Sequence, residues 1–255
     1  MIKYTQISIA SILLVICSLI FNACKKSDTK PVIQTDSIYD IDSNVYRIVK
    51  IGNQWWMAEN LKVKRYNNGK AILDMTDKTN HIEWDTTLTK GAFCKFNDNK
   101  SAPGLLYNWY AVNDSNPIAP KGWHIPTDEE WKQMETYLGM SKTDADALGW
   151  RGTKEGNNLK VVGDSGWVHA TNMNDVWGDN KSGFSALAGG CRLFKTIKNI
   201  VWGDPGLKYT GYWWTATAQP NSNTAWYRYL DYNKSNVFRY NGQKAYGFSI
   251  RCVKD

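Results

Sequence analysis

Histidine is scarce: His81, His124 and His169 are the only three in 255 residues. None has a second His or an acid at the spacing of a metal site or a catalytic triad, so the common hydrolytic constellations are missing. Long basic runs are missing as well. None exceeds two residues, and Lys plus Arg outnumber Asp plus Glu by only 31 to 24, which leaves no footprint for a nucleic-acid partner. After residue 21 no apolar stretch approaches the roughly 20 residues that a membrane helix requires. Disorder is excluded from the other side. Hydrophobic residues make up 42% of the chain and 13 residues are Trp, too apolar a composition for an unfolded polymer.

What is present begins with an export signal. A short basic start ending at Lys3 precedes a mostly apolar stretch over residues 7–21 that carries Leu13, Leu14, Val15 and Ile16. Cleavage before Cys24 would leave small Ala23 on one side but bulky Phe21 two positions earlier, a poor fit to an ordinary secretory site. Phe21-Asn22-Ala23-Cys24 instead resembles a lipobox, which predicts an acylated Cys24 anchored at about 0.8 kcal/mol per buried CH₂. Lys25 follows where an acid would resemble an inner-membrane retention signal, so the expected address is the outer membrane, with exposure at the cell surface left open. The expected organisation is a signal over 1–23, a polar tether over 24–37 reaching about 20 Å, and a folded domain over 38–255.

Within that domain, residues 45–51 and 54–57 alternate around Gly52-Asn53 and predict a hairpin. The stretch GLLYNWYAV at 104–112 is either a short helix or a buried segment, since its period settles neither. Thr127 and Glu130 form a capping-box pattern after Pro126, predicting a helix over 128–138 with Trp131, Met134 and Leu138 on one face and Gly139 as its stop. About thirty residues after Trp150 are rich in Gly, Asn and Asp and read as a long loop region with one short ordered insert. Strand-like runs follow at 183–193, 211–217, 225–232, 237–240 and 247–253, so the later half is expected to be mainly antiparallel β.

Five motifs in order carry a resemblance. They are VKIGNQWWMAENL at 49–61, GLLYNWYAV at 104–112, GWHIPTDEEW at 122–131, GFSAL at 183–187 and GFSIRCVKD at 247–255. Together they are similar to the Fibrobacter succinogenes major paralogous domain, a family of bacterial surface or secreted lipoproteins. The helix entrance and the closing GFSIR more remotely resemble the formylglycine-generating-enzyme branch of C-type-lectin-like folds. That resemblance implies an α+β, C-type-lectin-like domain of antiparallel sheets with one or two short helices and long loops. It does not carry the oxidase activity over, because the late cysteines Cys191 and Cys252 lack a close Cys neighbour. Cys94, Cys191 and Cys252 would remain once Cys17 is removed and Cys24 acylated, which permits one disulfide and one thiol. The family resemblance implies the Cys94–Cys252 pairing.

Lectins of this fold class hold calcium and sugar with a Pro-containing loop and a following acidic motif. Gln219-Pro220-Asn221 matches the first part, but Trp226-Tyr227-Arg228 puts a cation where an acidic ligand is needed. Asp175, Asp179 and Asn180 could hold a structural calcium, although the same residues write ordinary turns. No other cofactor or metal is indicated. The expected function is a non-catalytic, lipid-anchored cell-envelope module that binds an extracellular glycan or protein. A structural surface protein is the second class and an enzyme the third. Contact is expected on the loops at 164–181 and 218–224, using Asp175 and Asp179, beside rings from Trp213, Trp214 and Trp226.

Overall fold

The computed structural model describes residues 36–76, 84, 87–96, 102–163, 166–168, 178–196, 199–202 and 206–255. Cys24, His81, His169 and Asp175 lie outside them. Strand β1 (Ser37–Tyr39) pairs with β2 (Val45–Ile51), which turns back into β3 (Gln54–Met57). The expected two-residue turn joins β2 to β3, with Ile51 opposite Gln54. Gly52 takes φ +61° there, a left-handed conformation that only Gly adopts without steric cost.

Strands β4 (Leu73–Asp74), β5 (Ala92–Cys94) and β6 (Leu106–Tyr107) form a small sheet with β4 parallel to β5. The ambiguous 104–112 stretch divides between strand and helix, β6 giving way to the one-turn α1 (Trp109–Val112). Buried Asn108 makes the switch: its Oδ1 accepts from the N–H of Ala111 at 3.1 Å and of Ala92 at 2.9 Å, tying the cap to β5.

Strand β7 (Trp123–His124) leads into α2 (Asp128–Tyr137), where both halves of the capping box form. The Glu130 N–H donates to Thr127 Oγ1 at 3.2 Å, and the Thr127 N–H donates to Glu130 Oε2 at 2.7 Å. Gly139, at φ +117°, ends the helix as expected. Helix α3 (Lys142–Asp146), β8 (Gly149–Arg151) and α4 (Glu155–Leu159) follow, α4 being an ordered insert of the loop-rich stretch. The remaining strands are β9 (Arg192–Thr196), β10 (Asn199–Trp202), β11 (Thr210–Ala218), β12 (Thr224–Asp231), β13 (Val237–Gln243) and β14 (Val253–Lys254).

The two largest sheets have the orders β1-β2-β3-β14-β7 and β11-β12-β13-β8. Among the described residues the architecture is thus α+β, mainly antiparallel, with four short helices. A core of Val49, Trp56, Trp131, Phe184 and Trp213 joins β2, β3, α2 and β11. Its rings meet edge to face, with Trp56–Trp131 at 5.2 Å and Trp131–Phe184 at 5.6 Å, each such contact adding about 0.5–1.5 kcal/mol beyond its buried area.

Two expected strands are not strands. Residues 183–191 make only isolated bridges before β9, because Gly183, Ser185 and Gly190 take positive φ values that break an extended run. Residues 247–249 bridge separately to β6, β9 and β11, which brings the GFSIR motif to the junction of three sheets. The Cys94–Cys252 disulfide is also absent. All three cysteines are buried thiols in different parts of the core: Cys94 with Trp84 and Leu106, Cys191 with Trp109 and Trp214, Cys252 with Tyr46 and Ile250. Cys94 instead hydrogen-bonds the Arg192 side chain, and Cys191 that of Tyr212.

Candidate functional site

Alternation along β11, β12, β13 and β8 sorts the side chains of that sheet into two unlike faces. On one face Trp150 stands opposite Phe238, Phe238 opposite Tyr229, and Tyr229 opposite Tyr212, so four rings form a row across four strands. Their centroids follow one another at 5.2, 5.7 and 4.5 Å. A second row runs from Tyr240 through Tyr227 to Trp214. Exposure falls along it from 45% at Tyr240, through half-buried Tyr227, to 0% at Trp214. All four rings of the first row are half-buried, with part of each accessible to solvent.

The rings of this face are uncharged near neutral pH, and the carboxylate of Asp231 lies at their edge, bonded to the Tyr229 hydroxyl. Burial raises the Tyr212, Tyr227 and Tyr229 phenols well above their ordinary value, with neighbouring Cys191 adding to the first two. For Tyr229 the hydroxyl's bond to Asp231 adds to the burial effect. The phenols therefore stay protonated, those of Tyr229 and Tyr212 engaged by Asp231 and Cys191. Such a surface can bind and orient a neutral hydroxylated ligand.

The opposite face is ionic. Asp128 and Glu135, two turns apart on α2, meet Arg228 from β12, Arg239 from β13 and Arg151 from β8. Arg228 Nη1 lies 2.7 Å from Asp128 Oδ1 and its Nε lies 2.7 Å from Glu135 Oε1. Arg239 Nη2 lies 2.6 Å from Asp128 Oδ2. Burial alone would raise the Asp128 pKa, but hydrogen bonds and charge from Arg239 and Arg228 outweigh it and hold it at about 2.

The expected site residues divide accordingly. Trp213 and Trp214 both face core, at 1% and 0% exposure, because this sheet is covered on both sides near β11. Their indole N–H groups donate to Asn60 Oδ1 and to the Tyr107 carbonyl, so neither ring is open to a ligand. Trp226 lies on the ionic face, its ring capped by the Arg239 guanidinium at 3.9 Å. Asp179 is spent in a turn, accepting from the Lys181 N–H and pairing with its ammonium at 2.9 Å. Asn180 exchanges side-chain hydrogen bonds with Ser185, so the two described members of the calcium set are engaged elsewhere. Arg228 is the buried partner of two acids.

His124 differs from expectation too. Its Nε2 lies 2.7 Å from Glu130 Oε1 and its Nδ1 2.7 Å from Asp255 Oδ1. Burial opposes its charged form, but bonds to Asp255 and Glu130 prevail and raise its pKa. With both ring nitrogens engaged, His124 acts as a clasp between β7, α2 and the segment after β14. Glu130 is six residues away around a corner and Asp255 is remote in sequence, so neither registered as a partner.

Sequence reasoning missed Trp150, Tyr212, Tyr229, Phe238 and Tyr240. A signal existed in Trp226-Tyr227-Arg228-Tyr229-Leu230, where Tyr227 and Tyr229 must share the face opposite Arg228. Among the described residues no helix is long and apolar enough to cross a membrane, and no group of three His, Cys, Asp or Glu residues could hold a metal ion.

The chain belongs to the Fibrobacter succinogenes major domain family, whose model matches residues 49–254. No curated protein and no solved structure matches it.

Proposed function

We propose that this member of the family is a lipid-anchored module of the cell envelope whose aromatic sheet face binds a glycan without catalysing a reaction. The observation that carries the reading is the row Trp150, Phe238, Tyr229 and Tyr212, four partly accessible rings in cross-strand register. Sugar rings present C–H patches beside hydroxyls, and aromatic faces rimmed by neutral phenol donors complement both. The C-type-lectin-like assignment is part of the same proposal. Mainly antiparallel sheets, short helices and the capped helix after GWHIP support it. The anchor rests on the Phe21-Asn22-Ala23-Cys24 pattern, and outer-membrane placement on Lys25.

A glycan array probed with the mature chain tests the reading. Trp150→Ala and Tyr240→Ala should each weaken retention on the selected glycan by about tenfold, equivalent to roughly 1.4 kcal/mol. A blank array, or a bound glycan indifferent to both substitutions, would overturn it. Incorporation of labelled palmitate that is lost in Cys24→Ala tests the anchor separately.

A further inference from the structure

A second feature is a cleft lined by three lysines from two parts of the chain. Leu61 and Val63 are fully buried, so alternation turns Lys62 and Lys64 together toward solvent. Lys95, just after β5, comes from a remote part of the chain to the same place. The three side chains line a cleft of about 200 Å³ with Asn44, Gly104 and Leu105. Among the described residues none of the three forms an ion pair. The acid beside them, Asp42, is already held by Arg65, whose Nε lies 2.5 Å from its Oδ1. Asp42 also accepts the Lys64 backbone N–H at 2.5 Å, so its carboxylate is committed to one guanidinium and one amide. The Lys62 Nζ lies 5.3 Å from the centre of the Tyr46 ring.

We infer that this cleft binds an oxyanion: a phosphate, sulfate or carboxylate group, free or carried on an acidic saccharide. Three like charges around a small concavity focus a positive potential into it, and bringing in one anion relieves their mutual repulsion. Ammonium groups donating to an oxyanion also make stronger hydrogen bonds than neutral donors. The floor contributed by Leu105 and Gly104 carries no opposing charge. This site is independent of the aromatic face and does not require the glycan reading to hold.

The test uses the mature chain, titrated calorimetrically with inorganic sulfate and with polygalacturonate at low ionic strength. The triple variant Lys62→Gln, Lys64→Gln, Lys95→Gln should lose binding by at least about tenfold, and added salt near 0.5 M should weaken the wild type similarly. A control removing the same charge elsewhere, Lys70→Gln, Lys121→Gln, Lys142→Gln, should retain affinity within about threefold. Polygalacturonate bound more tightly than sulfate and displaced by it places the anion on a saccharide, whereas equal affinity per charge points to a free anion. Equal losses in the triple variant and the control would reduce the effect to net charge and overturn the inference, as would failure of the wild type to bind either probe.

Discussion

The two faces of the β11-β12-β13-β8 sheet are made by the same strands and differ by one step of alternation. Arg228, Arg239 and Arg151 point one way and are sealed against α2 by Asp128 and Glu135. Tyr229, Tyr227, Phe238 and Trp150 point the other way and remain partly open. Buried ion pairs add little net stability over apolar packing, yet losing one partner is severe because the other charge is stranded. The ionic face therefore fixes how α2 seats on the sheet. The aromatic face is partly open and carries no ion pair among the described residues. One strand sequence thus builds a sealed ionic face and a partly open aromatic one.

The sharpest way to break the contrast is Arg228→Ala, which removes the guanidinium shared by Asp128 and Glu135, leaves each with one arginine, and should cost about 3 kcal/mol in urea unfolding. A loss below about 1 kcal/mol would mean that the ionic face is no more constrained than the surface. Acid should reach the same face. The Asp128 pKa falls from 3.8 in the free side chain to about 2, so its contribution is complete above roughly pH 4 and is lost as pH falls toward 2. Wild-type stability should drop by on the order of 2 kcal/mol from this group across that window, and an Asp128→Asn variant, less stable at neutral pH, should lose less on acidification. Thr127→Ala removes the cap that starts α2 beside Asp128 and should shift the unfolding free energy by about 0.5–2 kcal/mol. At the small end, Tyr240→Ala on the aromatic face should change stability by less than about 0.5 kcal/mol. A larger loss would show that this face, too, is core.

Legibility in the sequence followed the range of the interaction. The Gly52-Asn53 hairpin and the Thr127–Glu130 box are complete within a few residues and could be read directly. The strands at β11, β12 and β13 were visible from alternation within a residue or a few at their ends. The side on which each strand is covered was not visible. Trp213 and Trp214 are both buried because Phe184 and Asn60 cover one and Phe248 and Trp109 the other, contacts 29 or more residues away. Asp128 and Glu135 were not among the Trp131, Met134 and Leu138 positions read as the buried face of α2, and the arginines of distant strands bring them inside. The thiols show the same limit, since a spacing of cysteines says nothing about which core each one enters.

Strand β14 lies between β3 and β7 in the interior of its sheet, with Val253 opposite both Trp56 and His124. The sheet cannot close until residue 253 has been made and has travelled back across nearly two hundred positions. Such non-local closure belongs with slow folding, on the order of milliseconds to seconds. A polypeptide that lacks this keystone strand leaves β3 and β7 unjoined.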